Sequence, residues 1–385
     1  MIRAPVNPEL VIWARERAGL APETLAKRFP KLSEWETGSL RPTFKQVDDF
    51  AAKVHVPVGY LFLSEPPIES LPISDFRTIA GTSVARPSPD LLDVIHACQA
   101  RQTWYRNYSR LESSDELLFI SSVSIDHSTV DVASQITDTL EFALQVRREC
   151  STWTDAFQRF VTATDAAGIL VMISGIVGSN TTRRLNPQEF RGFALSDPRA
   201  PLIFINGADT KAAQMFTLAH ELAHLWLGNS GLSNCQAAPN SKLRSAEVWC
   251  NEVAAEFLVP LAALRDELSE GESLSNAIQR LTRVFKVSSL VVLRRLLDAG
   301  WLTRNQFENA WREENSRLRS LVQQNRGGGG DFYRTTVSRV GRRFAKALVA
   351  STLEGQTLFR DAYRMLGVRS GSSFEELARQ IGVTP

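Results

Sequence analysis

The segment 216–228 restricts the fold most, because it places two histidines four residues apart within an apolar run. Apolar residues occur nearly all round this predicted helix, which indicates that it is buried in a core. His220 and His224 share one face and can bind a single Zn2+, and Glu221 beside them is a candidate base for a metal-bound water. Two histidines that only fill a core are the alternative, but this leaves buried polar groups to satisfy. Asp209 is the predicted N-cap.

A third metal ligand has to come from outside this helix. The metzincin extension requires glycine at 227 and histidine at 230, whereas the chain has Leu227 and Ser230, which excludes that class. The remaining histidines lie upstream without ligand spacing; they are His55, His96 and His127. We therefore expect a carboxylate as the third donor.

The segment 247–260 supplies the acidic candidates and is predicted to be the next helix. Gluzincins use a Glu on a second helix and, four residues later, an Asp or Asn that hydrogen-bonds a metal-bound imidazole. Glu247 and Asn251 fit this pair, so we predict Glu247 as the ligand and Asn251 as its support. Glu252 and Glu256 are the alternative ligands.

Composition sets wider limits. A chain of 385 residues is expected to form two or three domains, and its formal charge of +2 argues neither for nor against nucleic acid. No apolar signal segment is visible at the N-terminus, and the longest apolar run, 168–177, is too short to span a bilayer. The cysteines lack C-x-x-C spacing, which favours reduced thiols at Cys98, Cys150, Cys235 and Cys250. We expect a cytoplasmic protein with no membrane partner.

Residues 1–63 are predicted to form a small helical module. Helices are expected over 8–18, 22–29 and 44–54, with a short third helix ending near Trp35. The Trp-Glu-Thr-Gly turn and the Pro-Thr cap before Phe44 resemble a helix-turn-helix of the Xre/Cro repressor type.

This module has few residues in which to form a recognition helix, because only 27–33 separate the Leu25-Ala26 pair of the second helix from Glu34-Trp-Glu36. The predicted DNA contacts are therefore weakly specific, salt-sensitive contacts to phosphates, from Lys27, Arg28, Lys31 and Arg41. The alternative is a helical module that docks protein or the rest of the chain.

Residues 64–89, rich in Pro and Ser, are predicted to be a linker without regular structure. Residues 90–300 are predicted to be a peptidase domain that includes upstream helices, because His220-Glu221-x-x-His224 is the metalloprotease helix signature. The upstream helices are expected at 90–111, 129–148 and 154–167. Strands are expected at 169–173, 190–195 and 202–205, with 175–186 as a loop.

We predict 190–195 to be an edge strand that crosses the metal site and pairs with an extended substrate. Candidates for stabilising the oxyanion are Arg183, Arg184 and Arg191.

Residues 301–385 are predicted to be a basic helical region. Helices are expected at 305–324 and 337–353, with a Gly-rich break at 327–330 between them. A basic face that binds nucleic acid or an acidic partner is one interpretation, and a solvated surface is the other. Its members are Arg339, Arg342, Arg343 and Lys346.

Four motifs together resemble the ImmA/IrrE zinc peptidases, over roughly residues 165 to 300. They are Phe190-Arg-Gly-Phe-Ala-Leu, Pro201-Leu-Ile-Phe-Ile-Asn, the helix motif ending at His224, and the run from Glu247 to Pro260. The resemblance implies a gluzincin-like HExxH domain with a small sheet, in an α+β, mostly helical protein fused to the N-terminal module. It also implies a Zn2+-dependent endopeptidase that cleaves a regulatory protein such as a transcriptional repressor. A non-proteolytic antitoxin or transcription regulator with a structural zinc, in a toxin-antitoxin-like module, is the alternative.

Overall fold

The computed structural model describes residues 3–75, 87–233, 241–269, 271–324 and 332–383. The chain divides into two compact units, Met1–Pro72 with Ala85–His96, and Ile73–Val84 with Ala97–Pro385. Helices predominate and one small mixed sheet is present, so the predicted α+β, mostly helical class is confirmed. None of the described helices combines the length and the apolar character that crossing a bilayer requires. The predicted break at 327–330 lies outside the described residues.

The first unit contains short helices around one apolar core. Its helices are α1 (Pro8–Arg17), α2 (Pro22–Ala26), α3 (Leu32–Glu36) and α4 (Phe44–Val54), a 3-10 turn at Val58–Phe62, and the start of α5 (Pro89–Leu111) as far as His96. Thr43 caps α4 in a reciprocal bond pair with Gln46, which explains why the helix begins after the Pro-Thr pair. The third helix is short, as predicted, and α2 ends three residues earlier than expected.

The four predicted DNA-contact residues Lys27, Arg28, Lys31 and Arg41 are all exposed in this unit. Arg28 and Lys31 line a groove of about 130 Å³ that also includes the acidic Asp49. Residues 1–72 and 85–96, which make up this unit, carry ten Arg or Lys and eleven Asp or Glu, so the unit has no excess of basic side chains.

The second unit is built from helices on both faces of the sheet. Besides α5 from Ala97 onward, its helices are α6 (Thr129–Leu140), α7 (Leu144–Arg148), α8 (Trp153–Ala166), α9 (Lys211–Leu227), α10 (Ser241–Leu258), α11 (Leu261–Asp266), α12 (Leu274–Phe285), α13 (Ser289–Asp298), α14 (Arg304–Gln324), α15 (Phe332–Val340), α16 (Arg342–Leu353), α17 (Phe359–Leu366) and α18 (Gly371–Ile381). The core beneath one sheet face includes Val171, Ile203 and Ile205 together with apolar residues of α9 and α10.

The sheet has five described strands. In spatial order they are β1 (Ser74–Asp75), β7 (Gly231–Ser233), β5 (Gly192–Leu195), β6 (Leu202–Asn206) and β2 (Leu170–Ser174). β5 runs antiparallel to both neighbours, while β1 is parallel to β7 and β2 is parallel to β6. Every residue of β5 and β6 is buried, which explains why these strands are apolar except at Asn206, whose amide donates to Phe190 O at 3.1 Å.

Two predictions about strands are wrong. The predicted edge strand, observed as β5, lies between β7 and β6, so both of its hydrogen-bonding edges are already occupied and it cannot add a substrate strand. The predicted loop 175–186 contains a small antiparallel hairpin of β3 (Ile176–Val177) and β4 (Asn180–Arg184). The predicted linker also contributes β1 to the sheet.

Two long predicted helices are each broken by a residue with positive φ. The helix expected over 129–148 is divided into α6 and α7 because Glu141 adopts a left-handed conformation with φ of 49°. The helix expected over 337–353 is divided into α15 and α16 at Gly341, where φ is 83°. A Cβ at Gly341 would lie 2.9 Å from the carbonyl oxygen of Val171 in β2. Glycine is therefore required both for the break and for the close approach to the sheet.

We expect Gly341→Ala to lower the free energy of unfolding by about 2 to 4 kcal/mol, because it adds a backbone clash to the cost of positive φ. Gly355→Ala is the matched control, since Gly355 has a similar φ of 77° and open space around it. Urea denaturation of both variants measures the difference. Equal losses would show that the contact with Val171 does not matter.

Candidate metal centre

The helix α9 is buried along most of its length. Thr210 caps it by accepting a hydrogen bond from Ala213 N at 3.2 Å, so the prediction that Asp209 is the cap is wrong. Asp209 instead accepts a bond from Thr210 N at 2.8 Å. At its other end the helix stops at Gly228, whose φ of 74° is left-handed. A buried helix fixed at both ends holds its side chains in one position.

Three side chains converge at the centre of this core. His220 Nε2 and His224 Nε2 are 3.0 Å apart, and Glu247 on α10 lies 3.4 Å from the first and 2.9 Å from the second. The two histidines have no exposed surface and Glu247 is 2% exposed. Among the described residues, these three form the group of His, Cys, Asp or Glu side chains with the geometry to hold a metal ion.

The spacing of the three donors fits one small metal ion. Tetrahedral ligands about 2.1 Å from Zn2+ lie roughly 3.4 Å from one another, and the observed separations of 3.0, 3.4 and 2.9 Å lie at or slightly below this value. Two imidazole nitrogens and one carboxylate oxygen also match the donor types of zinc sites that keep a fourth position open. The residues present therefore fit a zinc ion.

The electrostatics of the cluster favour a charged carboxylate. Burial acts to raise the pKa of Glu247, but His220 and His224 outweigh it and lower this pKa to about 2. Burial acts to lower the pKa of His220, yet Glu247 and, more weakly, Glu221 and Asn251 raise it overall. His224 has a lowered pKa, because burial and the neighbouring imidazole outweigh Glu247. Glu247 is thus an anionic donor facing two imidazoles.

The other acidic candidates on α10 do not reach the cluster. Glu252 is exposed, and Glu256 is engaged by Arg295 and by Leu261 N at 3.2 Å. Asn251, one turn after Glu247, is half-buried beside His220. Asn251 Oδ1 and His220 Nδ1 are both buried, and neither has a hydrogen-bond partner among the described residues. Asn251 Oδ1 is therefore free to accept a hydrogen bond from the His220 ring.

Glu221 lies between α9 and the sheet. Its side chain is fully buried, and a Cβ at Gly192 of β5 would be 3.1 Å from Glu221 Oε1 and 2.6 Å from Thr217 Cγ2. Glycine at 192 therefore lets the strand approach the helix at the level of the carboxylate. This role of Gly192 was not predicted, although its position within the Phe-Arg-Gly-Phe motif is a visible signal.

Residues 164–297 match the family model of the IrrE N-terminal-like domain, peptidase family M78. A second match, over residues 340–380, is to a domain of unknown function (DUF8813). No curated protein matches the chain. The first match contains all three clustered donors and supports a metallopeptidase-type hydrolase; we call residues 164–297 the M78-like region.

The candidate oxyanion residues lie at the hairpin and the sheet. Arg184 is exposed and Arg183 half-buried on β4, while Arg191 forms an ion pair with Asp209 at 3.6 Å. The described contacts of His220, His224 and Glu247 involve none of the three.

A buried arginine outside the M78-like region fixes the end of its ligand helix. Arg147 is 1% exposed and donates to the carbonyl oxygens of Leu258 at 2.6 Å, Phe257 at 3.1 Å and Phe285 at 3.2 Å. The first two are among the terminal carbonyls of α10, which have no partner within the helix. Arg147 thereby holds the helix that carries Glu247. Nothing in the sequence distinguishes it from the adjacent Arg148.

We expect Glu247→Gln to weaken binding of Zn2+ by at least about tenfold, because an anionic donor is replaced by a neutral amide. Glu252→Gln is the control on the same helix, since Glu252 is exposed. Titration with Zn2+ against a competing chelator measures both affinities. Unchanged binding in the first variant would remove Glu247 from the ligand set.

We expect Arg147→Met to lower the free energy of unfolding by about 3 kcal/mol, because several buried carbonyl oxygens lose their donor. Arg148→Met is the control and should change stability by less than about 1 kcal/mol, since Arg148 forms a partly exposed ion pair with Glu267. Denaturant unfolding with bound metal removed measures the comparison. A similar small loss in both variants would contradict the assigned role.

Proposed function

We propose that the M78-like region is a zinc-dependent peptidase. The observation that carries this proposal is the convergence of His220, His224 and Glu247, with Glu221 next to the first histidine on the same buried helix. A donor set of two imidazoles and one carboxylate leaves room for water or substrate at a zinc ion, as hydrolytic sites require. The family match over residues 164–297 supports the same chemistry.

The residues divide the work of peptide hydrolysis between them. Zn2+, when bound by His220, His224 and Glu247, supplies a Lewis acid that polarises a carbonyl group and makes water more acidic. Glu221 accepts a proton from the attacking water and later delivers it to the leaving amine. Burial of its carboxylate beside Gly192 excludes bulk water from the position in which the proton is held. Asn251 supports the orientation of the His220 ring.

The substrate that we propose is a regulatory protein, such as a transcriptional repressor. This part of the proposal is supported by the resemblance of the HExxH, strand and α10 motifs to the ImmA/IrrE peptidases. The first unit supplies a separate helical surface for recognition, and its even balance of acidic and basic residues suits a protein partner. Phosphate contacts from Lys27, Arg28, Lys31 and Arg41 remain the prediction for DNA.

A second candidate function is that of a non-proteolytic regulator or antitoxin in which zinc only stabilises the fold. The complete burial of both histidines and the near-complete burial of Glu247 favour it, because a metal ion enclosed in a core is out of reach of a polypeptide substrate. Glu221 distinguishes the two functions, since a structural site has no use for a base beside the metal.

We expect Glu221→Gln to retain zinc but to lower proteolysis by about 10²- to 10⁴-fold, because the base is lost. Zinc content is measured by elemental analysis, and cleavage by comparing new protein N-termini in cells that express the wild type or the variant. Glu252→Gln is expected to behave as the wild type in both measurements.

The two functions predict different results for this variant. Loss of the new N-termini with zinc content retained supports the peptidase. Equal cleavage in the variant and the wild type would contradict the role of Glu221. Absence of any zinc-dependent cleavage in the wild type, with its regulatory effect intact in the variant, would support the structural-zinc regulator.

A further inference from the structure

Arg339, in the C-terminal part of the second unit, is buried and has no acidic partner among the residues that the structure describes. It lies on α15 and only 6% of its surface is exposed. Its Nε and Nη1 atoms are buried and make no hydrogen bond within the described residues. The sequence predicted this residue to be part of an exposed basic face, and that prediction is wrong. A buried guanidinium with unsatisfied donors is unfavourable unless something else supplies the acceptors.

The other members of the predicted basic face have different surroundings. Arg343 donates to the backbone oxygens of Asp165 and Ala166 at 2.8 and 3.3 Å, so it attaches α16 to the end of α8. Arg342 and Lys346 are exposed. Arg339 is therefore the one of the four that is both buried and incompletely satisfied.

A second arginine approaches Arg339 from α5. Arg101 donates through Nε and Nη2 to the carbonyl oxygen of Met365 at 3.2 and 3.0 Å, and its Nη1 lies 3.8 Å from the sulfur of Met172. Arg339 Nη1 lies 3.8 Å from the position that a Cβ on Gly367 would take. Both guanidinium groups thus converge on the C-terminal turn of α17, from two different helices.

The two positive charges are close enough to repel each other. Burial lowers the pKa of both arginines, and Arg101 lowers the pKa of Arg339 further. Across the part of the chain that the structure describes, neither forms an ion pair with a carboxylate. Burial also raises the pKa of the neighbouring Cys98 thiol to about 12, so this group is neutral and supplies no counter-charge.

The C-terminal end of α17 compensates only part of this charge. Its partial negative charge and the Met365 carbonyl satisfy Arg101. Arg339 donates no hydrogen bond to that carbonyl, and two of its donor atoms have no acceptor among the described residues. A ligand with at least two acceptor oxygens and negative charge would complete the arrangement.

We propose that Arg101 and Arg339 form a binding site for a small oxyanion, a phosphate or carboxylate group, between α5, α15 and α17. The planar guanidinium fork donates charge-assisted hydrogen bonds to both kinds of group, which is the reason that arginine recurs in such sites. Met172 lies in the M78-like region, whereas Met365 and Gly367 lie in the segment 340–380 that matches the second family. The two arginines that hold the anion belong to neither matched region and approach it from the flanking helices α5 and α15.

The experiment is thermal unfolding of the full chain in a low-salt buffer, titrated with inorganic phosphate or with succinate and compared with sodium chloride at equal ionic strength. We expect one of the two anions to raise the wild-type melting temperature by several degrees in a saturable way. Arg339→Gln should abolish this shift. Arg342→Gln, three residues along the chain and exposed in the wild type, should keep it.

Stability without the added anion gives a second, independent comparison. Arg339→Gln should then be at least as stable as the wild type, because it removes an unpaired buried charge. A purely structural arginine would instead make this variant less stable at every anion concentration. Arg339→Lys is the variant to use if the glutamine variant does not fold, and it should bind the anion at least about tenfold more weakly, since it lacks the fork.

Three results would overturn the proposal. The first is no saturable shift with either phosphate or succinate in the wild type. The second is an equal shift in the wild type and Arg339→Gln, which would show general salt stabilisation. The third is an unchanged affinity in Arg339→Lys. A shift with phosphate alone would identify a phosphorylated ligand, and a shift with succinate alone would identify a carboxylate.

Discussion

The contact between the imidazoles of α9 and the carboxylate of Glu247 on α10 is the interaction on which the second unit depends. Three polar groups within 3.4 Å of one another lie in a core and have almost no solvent-exposed surface. Such a cluster is costly without mutual compensation, and the lowered pKa of Glu247 shows that the carboxylate and the histidines compensate each other. A divalent ion bound by these three side chains would engage the two imidazole nitrogens and the carboxylate oxygen at the same time.

This arrangement requires that two helices keep a fixed position along each other. α9 is fixed by its Thr210 cap and by Gly228, and it packs against the glycine-containing strand β5. α10 is fixed at its C-terminal end by Arg147 and by Arg295, which donates to Val259 O at 2.9 Å. Those contacts come from helices on either side of it in the sequence. The chemistry of the centre therefore depends on residues that take no part in it.

Whether a feature of this structure could be predicted from the sequence depends on how far apart in the chain the interacting residues lie. The spacing of His220 and His224 places them on one helix face without any tertiary information, and the same holds for Glu247 and Asn251. The helix 44–54 was predicted with the observed bounds because its apolar residues recur at a helical period and the Pro-Thr pair marks its start.

Other features depend on contacts between distant residues and could not be predicted from local patterns. The position of β5 inside the sheet depends on its pairing with 231–233, which no local pattern reveals. The break at Gly341 and the burial of Arg147 and Arg339 likewise depend on tertiary neighbours, since the sequence around one glycine or one arginine does not reveal its environment.

The pairing of β1 with β7 has a consequence for isolated fragments. A fragment limited to residues 164–297 would lack β1, so the outer side of β7 would have unpaired backbone N–H and C=O groups. It would also lack α15, which packs against β2. Such a fragment is expected to self-associate through the outer strands β7 and β2.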